Sequence, residues 1–313
     1  MRSIVDIKNA LADGTLAREE FWAAMRERHL LLREYQQLVG STELSAIEIV
    51  ADELRVVTTD GLRLVWHPED LRTAPNVLVN TGEYEPAESA ALKAAAAGAS
   101  VIFDIGANVG YFSLRWATGM ASSGSIHAFE PVPATYDRLA RNVALNGLGD
   151  VVRTNNLGVG NHPGTFRFHV PSFSGSGAAS LMNLHPDEDT MEVEAEVTTL
   201  DAYFAEHGLN RLDLVKVDVE GAELMVLHGG SATIAHYKPL LFLELLRKWS
   251  KPFGYHPNDV IALLGGMGYR CYVHEGERLV RFETMTDETV QTNFFFADPA
   301  KHAKWLQANG VAG

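Results

Sequence analysis

A turn that could bind a nucleoside cofactor lies in the segment VIFDIGANVGYFS. Its pattern is Asp-x-Gly-x-Asn-x-Gly, formed by Asp104, Gly106, Asn108 and Gly110. The apolar residues before Asp104 predict a strand, and the amphipathic residues after Gly110 predict a helix. Glycine lets a ligand or the sheet approach the backbone, and the start of the helix offers unpaired N–H groups to ligand oxygens. A carboxylate at the end of the strand could accept a hydrogen bond from an ammonium group or orient water.

The glycine spacing argues against a dinucleotide site. A dinucleotide fingerprint has glycine at its first, third and sixth positions, where this chain has Gly106, Asn108 and Tyr111. The pattern is therefore a poor match to an NAD-dependent oxidoreductase. A second predicted strand, SIHAFEP, ends in Glu130, whose carboxylate could accept hydrogen bonds from both hydroxyls of a ribose. A plain tight turn and a solvated acid are the structural alternatives for these two motifs.

Three further acids follow predicted strands. The strand LDLVKVD ends in Asp218, Glu220 stands two residues later, and PLLFLEL places Glu244 after the next strand. The carboxyl ends of parallel strands meet at one edge of a sheet, where crowded acids are costly unless they bind a ligand or share protons. Asp218 or Glu244 could act as a general base, because burial makes a carboxylate more basic. Glu220 could instead stabilise the start of the helix that follows it.

Five segments, in order, resemble the FkbM family of S-adenosylmethionine-dependent methyltransferases: DIGANVGYFS, AFEPVP, TLDAYF, KVDVEGAE and LLFLEL. The resemblance covers about residues 80–299. It implies a class I methyltransferase fold, which is a Rossmann-like α/β fold. Its mostly parallel sheet has seven strands, one of them a reversed edge strand, with helices on both faces. The family usually methylates oxygen atoms of small natural products, sugars or glycolipids.

The resemblance also implies contacts with S-adenosylmethionine. The residues concerned are Asp104, Gly106, Asn108, Gly110, Glu130, Asn156 and Tyr84. The Asp-x-Gly-x-Asn-x-Gly turn would line the methionine and ribose side of the cofactor, and the acid of the second strand would bind the ribose. Asn156 falls where such enzymes touch adenine. Tyr84 and Glu85 belong to a loop that lies close to the cofactor in this family.

We therefore expect an S-adenosylmethionine-dependent O-methyltransferase that acts on a hydroxyl of a sugar, glycoside or other natural-product intermediate. Asp218, Glu220 and Glu244 would be its catalytic residues, with a strand-end carboxylate as the base for in-line methyl transfer. A divalent ion between Asp218 and Glu244 is an alternative way to acidify the hydroxyl. It is not favoured, because Leu245 stands where a further oxygen ligand would help, and no metal site is predicted. A noncatalytic nucleotide-binding module would lack the strand-end acids, which are present here.

Composition excludes several other classes of protein. The 313 residues carry a formal net charge of −14 and no run of lysine or arginine, which argues against a nucleic-acid partner. Cys271 is the only cysteine, so no intrachain disulfide is expected and a reducing cytoplasm is the predicted location. No apolar run has the length of a membrane span, and Asp6 and Lys8 interrupt the place where a signal peptide would be apolar. We expect a protein that acts on a small molecule and does not contact a membrane.

The chain is predicted to have an N-terminal appendage, residues 1–75, and a methyltransferase domain, residues 76–313. In the appendage, helical spacing of apolar residues over 15–39 predicts an amphipathic helix. The segment ELRVVTTDGLRLVW predicts a hairpin with a primed turn at Asp60 and Gly61. The appendage could be a lid, a wall of the substrate site or the interface of a homodimer.

An insertion over residues 160–197 contains two predicted strands, GTFRFHV and MEVEAEV, joined by a loop rich in glycine and serine. Long loops inside a compact domain are often functional lids, although a flexible hairpin end would have the same composition. If the loop is a lid, the hydroxyls of Ser174, Ser176 and Ser180 would contact the acceptor.

Overall fold

The computed structural model describes residues 2–120, 123–276 and 278–311. The strands in these residues are β1 (Leu44–Val50), β2 (Glu53–Thr58), β3 (Arg63–Trp66), β4 (Val101–Ile105), β5 (Ser125–Phe129), β6 (Val152–Asn155), β7 (Gly158–Val159), β8 (Gly164–Pro171), β9 (Thr190–Thr198), β10 (Leu214–Val217), β11 (Leu240–Glu244), β12 (Arg270–Glu275), β13 (Arg278–Phe282) and β14 (Asn293–Ala297).

The helices flank these strands. They are α1 (Ile4–Ala12), α2 (Arg18–Leu38), α3 (Ala74–Thr81), α4 (Pro86–Ala97), α5 (Tyr111–Gly119), α6 (Pro133–Leu145), α7 (Leu200–Glu206), α8 (Glu223–Gly229), α9 (Ser231–Tyr237), α10 (Arg247–Ser250), α11 (Pro257–Gly266) and α12 (Ala303–Ala308). Over the described ranges, none of the helices combines the length and the apolar composition that crossing a membrane requires.

The central sheet has eight strands in the order β13-β12-β14-β11-β10-β4-β5-β6. The five strands from β11 to β6 are parallel to one another. Strand β14 runs antiparallel to both of its neighbours, β11 and β12. The predicted mostly parallel α/β fold is confirmed. The structure differs in two details, since β13 adds an eighth strand at the edge and the reversed strand β14 lies inside the sheet.

The register of the parallel strands brings the predicted site residues to one edge. Ile105 of β4 pairs with Phe129 of β5 and with Val217 of β10, and Val217 pairs with Leu243 of β11. Because these strands run in the same direction, the residues that follow them meet at the carboxyl edge of the sheet. That edge therefore receives the turn after β4 and the strand-end acids.

The sheet is covered by apolar residues on both faces. Ile102 and Phe242 belong to one buried cluster, with residues of α4, α5 and α6. Phe103 and Leu243 belong to a second cluster, with residues of α7, α8 and α11. Strands buried on both faces read as continuous apolar runs, which is why β4 and β11 could be predicted from the sequence. Two packed layers of helices hold the strand ends in fixed positions.

The N-terminal segment forms α1, α2 and a three-stranded antiparallel sheet in the order β1-β2-β3. The predicted helix over 15–39 is confirmed as α2, and the predicted hairpin as β2 and β3 with β1 added to it. The primed turn is wrong, because a primed type I turn needs positive φ at both central residues and Gly61 has it (89°) while Asp60 does not. The Thr58 N–H donates to the Leu62 carbonyl, and this hydrogen-bonded pair encloses residues 59–61.

Part of this N-terminal sheet packs on the core of the central sheet. Val56, Leu64 and Trp66 belong to the same buried cluster as Ile102 of the central sheet. The Asn142 side chain of α6 also accepts a hydrogen bond from the Val65 N–H at 2.8 Å. These contacts fix β3, and the residues that follow it, against the central domain.

The insertion forms a separate three-stranded sheet in the order β7-β9-β8. Strands β8 and β9 pair antiparallel over eight residues each, as the two predicted strands require. The loop between them, residues 172–189, folds back over the carboxyl edge of the central sheet, where Ser180 reaches the backbone of Glu220. The insertion thus covers the strand-end acids.

Candidate active site

A cleft of about 300 Å³ opens at the carboxyl edge of the central sheet. Its walls include the turn after β4, the ends of β5, β10 and β11, and the insertion. Representative lining residues are Gly106, Glu130, Asp218, Glu244 and Phe168. A smaller recess of about 30 Å³, with Lys216 in its wall, shares Gly106 and Asp218 with the cleft. Residues predicted from separate motifs therefore meet in one cavity.

Close packing explains the two glycines of the turn after β4. Gly106 has φ 77°, and a Cβ there would lie 1.8 Å from the Asp218 carbonyl oxygen. Gly110 has φ 89°, and a Cβ there would lie 2.6 Å from Leu139 Cδ1. Side chains at these positions are excluded by the protein itself. Gly106 lines the cleft, whereas Gly110 starts α5 outside it.

Glu130 is placed to bind hydroxyl groups. Its side chain is buried, and its two oxygens accept hydrogen bonds from the N–H groups of Val132 (3.0 Å) and Asn108 (3.1 Å). Burial raises the pKa of Glu130 to about 7, although these backbone hydrogen bonds oppose the shift. A carboxylate has about four lone-pair positions, so each oxygen can accept another hydrogen bond from the cleft.

Asp104 and Lys216 form a buried ion pair beneath the cleft. The Lys216 ammonium lies 3.5 Å from the Asp104 carboxylate and 3.1 Å from that of Asp218, and it donates to the Gly106 carbonyl oxygen at 3.1 Å. Ser113 donates to the other Asp104 oxygen at 2.6 Å. Burial opposes the lysine charge, but the two carboxylates together raise the pKa of Lys216 above its ordinary value. Since Asp104 does not line the cleft, its predicted effect on the cofactor would act through Lys216.

The three predicted catalytic acids converge. Single oxygens of Asp218, Glu220 and Glu244 all lie within 4.8 Å of one another. Burial, followed by the charges of Asp218 and Glu223, raises the pKa of Glu220 to about 8. Burial and the charges of Asp218 and Glu220 raise the pKa of Glu244 well above its ordinary value. Glu220 therefore holds a proton near neutral pH, and the proton affinity of Glu244 is raised in the same direction.

Glu220 is held in an unusual conformation. Its φ of 50° lies in the left-handed region, and its Oε2 is buried with no hydrogen-bond partner in the described part of the chain. Its carbonyl oxygen accepts a hydrogen bond from Ser180 at 2.7 Å. An unpaired buried oxygen costs free energy unless a ligand or ion satisfies it. The helix-start role left open for Glu220 does not describe this geometry, because α8 begins at Glu223.

Glu223 is a supporting residue that sequence reasoning missed. It is buried, and one carboxylate oxygen accepts hydrogen bonds from the N–H groups of Val219 (3.3 Å) and Gly221 (3.0 Å). The Tyr255 hydroxyl donates to its other oxygen at 2.9 Å. Burial raises the pKa of Glu223 to about 7. Glu223 thus fixes the loop that carries Glu220, and its position as the last acid of KVDVEGAE was the available signal.

Of the remaining predicted cofactor residues, Tyr84 lines the cleft and Asn156 does not. Tyr84 and Glu85 line the cleft, and the Tyr84 ring packs edge-on against Tyr111 with centroids 4.8 Å apart. Asn156 is exposed and outside the lining, and its amide donates to the Glu130 carbonyl oxygen at 2.9 Å. The neighbouring Leu157 lines the cleft instead.

Two cations at the cleft were not predicted as site residues. Arg72 precedes α3, and Lys248 lies in α10; both are exposed and both line the cleft. The Lys248 ammonium lies 4.0 Å from the centroid of the Trp249 ring, which also lines the cleft. Isolated basic residues carry no sequence pattern, so only the fold reveals that they share a cavity.

Hydrogen bonds hold the loop over the cleft. The Ser176 hydroxyl donates to Asp70 at 2.6 Å and lies 3.0 Å from the Arg138 guanidinium, which itself binds Asp70 at 2.6 Å. Ser174 donates to Glu188 at 2.6 Å. With the Ser180 contact, all three serine hydroxyls donate to acceptors within the chain. These bonds hold the loop in place, and contact of the serines with an acceptor stays a prediction; of the three, Ser176 lines the cleft.

Comparison with known proteins finds a matching family and several relatives that are methyltransferases. The model of the methyltransferase FkbM domain matches residues 104–271. Methyltransferase sdnD of Sordaria araneosa is 32% identical over 199 residues, which are 54% of this chain and 73% of the relative. The 2-O-methyltransferase NoeI of Sinorhizobium fredii is 30% identical over 148 residues, covering 43% of this chain and 58% of the relative.

A third relative carries the name of the family. The 31-O-demethyl-FK506 methyltransferase FkbM of Streptomyces tacrolimicus is 28% identical over 155 residues, covering 41% of this chain and 58% of its own length. The shared segments thus span little more than half of two of these relatives. The family model covers more than half of this chain and contains the turn after β4, Glu130 and the three strand-end acids. The chain belongs to the FkbM family of S-adenosylmethionine-dependent methyltransferases.

Proposed function

We propose that this protein transfers a methyl group from S-adenosylmethionine to a hydroxyl oxygen of a small molecule. The observation that carries the proposal is the convergence of Asp218, Glu220 and Glu244 in the cleft that also contains Glu130 and Gly106. Two relatives support oxygen as the acceptor atom, because their names specify a 2-O-methyltransferase and a 31-O-demethyl-FK506 methyltransferase. A sugar, glycoside or other natural-product intermediate is the proposed acceptor.

The lining of the cleft fits S-adenosylmethionine. Glu130 can accept the two ribose hydroxyls, because each of its oxygens has a single backbone donor. Asp218 and Glu85 offer carboxylates to the ammonium group at the methionine end. Leu157 and Phe168 supply apolar surface for the adenine. When bound, the cofactor supplies an electrophilic methyl group on a sulfonium sulfur.

Glu244 is the proposed general base. Asp218 is a weaker candidate, since its carboxylate already forms an ion pair with the Lys216 ammonium at 3.1 Å. Glu244 has no such cation within salt-bridge distance in the residues that the structure describes. Burial makes its ionised form a strong proton acceptor. The hydroxyl proton would pass to the Glu244 carboxylate as the methyl group moves from sulfur to the acceptor oxygen, and S-adenosylhomocysteine would be the leaving group.

A divalent cation is the second candidate for activating the hydroxyl. The structure adds Glu220 to the pair of ligands considered from the sequence, and the unpartnered Oε2 of Glu220 is a free donor for a cation. Hard divalent cations prefer carboxylate oxygens, so Asp218, Glu220 and Glu244 would hold the ion. An ion there would lower the pKa of a bound hydroxyl and replace the carboxylate base.

The test is isothermal titration of the purified protein with S-adenosylhomocysteine and with NAD, each with and without MgCl₂. We expect saturable binding of S-adenosylhomocysteine and none of NAD. Binding of NAD alone, or of neither, would overturn the proposal. Methyl transfer to a panel of hydroxylated acceptors separates the two mechanisms. A requirement for magnesium would favour the cation over the Glu244 base, and activity retained in EDTA would exclude the cation.

A further inference from the structure

Arg72 and Lys248 approach the cleft from distant parts of the chain. Arg72 is fixed by close packing, because a Cβ on Gly177 would lie 2.9 Å from Arg72 Cβ and 2.9 Å from its carbonyl oxygen. Lys248 is four residues beyond Glu244, and its ammonium is seated on the Trp249 ring. The fold therefore brings two cations into the wall of one cavity.

Both cations act on the same neighbours. The charges of Arg72 and Lys248 oppose the burial-driven rise in the pKa of Glu220, and both charges add to the burial that lowers the pKa of His185. The His185 ring in turn packs 5.3 Å from the Trp249 ring. The two cations consequently share Glu220 and His185 as neighbours, and Lys248 also contacts the Trp249 ring.

Neither cation forms an ion pair within the described part of the chain. Across the described ranges, no carboxylate oxygen lies within 4.0 Å of the charged nitrogens of Arg72 or Lys248. Two like charges in one cavity repel, and an anion between them would remove that repulsion. The chain has 40 acidic and 26 basic residues, so unpaired cations in a cleft are not explained by a general excess of basic side chains.

We propose that Arg72 and Lys248 form an anion subsite that binds a carboxylate or phosphate group of the methyl acceptor. The inference rests on the proposed function and names its substrate class, an acceptor with both a hydroxyl and an anionic group. Arg72 can bind such a group with two parallel hydrogen bonds, and Lys248 adds a point charge. With the anionic group held there, the acceptor hydroxyl is directed towards Glu244. Apolar contact with Trp249 would orient the acceptor between these two points.

The test uses inorganic phosphate and, separately, acetate as probes of the full-length protein saturated with S-adenosylhomocysteine. We expect saturable binding of one of them, and we expect Arg72→Gln and Lys248→Gln each to weaken it by about tenfold, the usual effect of losing a charge-assisted hydrogen bond. The preferred probe identifies the anionic group as phosphate or carboxylate. The matched control is Arg33→Gln, an exposed arginine of α2, which should leave binding unchanged.

Three results would overturn the subsite. They are the absence of saturable binding of either probe, equal binding by the wild type and both cleft variants, and an equal loss in Arg33→Gln. A fourth result would reassign Arg72 to the cofactor. It is weaker binding of S-adenosylhomocysteine by Arg72→Gln with unchanged binding of 5′-methylthioadenosine, which lacks the amino-acid end. Failure of the wild type to bind S-adenosylhomocysteine would instead contradict the proposed function, and titration of the free protein would still test the cation pair.

Discussion

At the scale of single residues, the strand-end acids differ in their surroundings more than in their chemistry. Asp218 is paired with a buried lysine, whereas Glu220 and Glu244 are buried beside like charges. Environment therefore separates an acid held beside a cation from two whose pKa values are raised. Under the proposed mechanism, this separation would let one cluster of carboxylates both hold charge and remove a proton.

The base role of Glu244 leads to a prediction about rate. We expect Glu244→Gln to lower the rate of methyl transfer by about 10² to 10⁴, the usual contribution of a general base, with S-adenosylhomocysteine binding retained. A base works in its ionised form, and burial raises the pKa of Glu244, so the wild-type rate should increase with pH and level off at a higher pH than an ordinary carboxylate would give. Measurement of kcat/KM from pH 6 to pH 9 tests both statements.

Glu194→Gln is the matched control for this prediction, because Glu194 is exposed on β9 of the insertion. It should keep the wild-type rate and pH profile. A Glu244→Gln variant with full activity would show that another group removes the proton. A wild-type profile that moves to lower pH when MgCl₂ is added would indicate that a cation keeps the acids ionised.

Sequence reasoning could place the acids but not their partners. Asp218 and Glu244 were predictable because each follows an apolar run, and parallel strands bring such positions to one edge. The ion pair of Asp104 and Lys216 needed the register of β4 and β10, in which these two residues are directly paired. Arg72 could not be predicted, since its approach to the cleft depends on tertiary packing against Gly177.

At the scale of elements, the insertion is a roof held by a few polar contacts. Ser176 joins the roof to Asp70 before α3 and to Arg138 of α6, and Ser180 joins it to the loop that carries Glu220. The sequence predicted its two strands from their alternation, but the composition of the loop was compatible with both an ordered lid and a flexible end. The hydrogen bond from Ser176 to Asp70, which is distant in sequence, favours the ordered loop.

The Ser176 contacts predict how firmly the roof is held. Ser176→Ala removes the hydrogen bonds of its hydroxyl to Asp70 and Arg138, each worth about 1 kcal/mol or somewhat more because both partners are charged. Amides of residues 173–179 should then exchange with solvent about tenfold faster or more, while those of β4 keep their protection. Hydrogen exchange followed by mass spectrometry measures both regions in one experiment.

Thr165→Ala is the control for the roof, since Thr165 donates a hydrogen bond to Glu196 within the same insertion but away from the cleft. It should leave the exchange of residues 173–179 unchanged. Equal exchange of residues 173–179 in Ser176→Ala and the wild type would show that the Ser176 hydroxyl does not hold the loop in place.

At the scale of the whole molecule, buried acids should make stability depend on pH. Glu130 and Glu223 are 6% and 2% exposed, and burial raises the pKa of each from 4.5 to about 7. Between these values the folded protein binds more protons than the unfolded chain, so the free energy of unfolding falls as pH rises through 7. His127 and His302 act in the opposite direction, because burial lowers the pKa of each to about 4. An unfolded histidine is still half protonated at its ordinary pKa of 6.5, so each of the two adds about 0.4 kcal/mol of stability between pH 6.5 and pH 8.5 and offsets part of the fall.

We therefore expect a net fall in the free energy of unfolding between pH 6.5 and pH 8.5, from a loss of about 1 kcal/mol for each of the two glutamates less a gain of about 0.4 kcal/mol for each of the two histidines. Urea unfolding at the two pH values, followed by tryptophan fluorescence, measures the difference. Glu223→Gln removes one titrating group, so its free energy of unfolding should change less between the two pH values than that of the wild type. Constant or rising stability would mean that Glu130 and Glu223 are ionised at pH 6.5 in the free protein.

Addition of S-adenosylhomocysteine should reduce the loss at pH 8.5 if ribose hydroxyls donate to an ionised Glu130, because that form is the better acceptor.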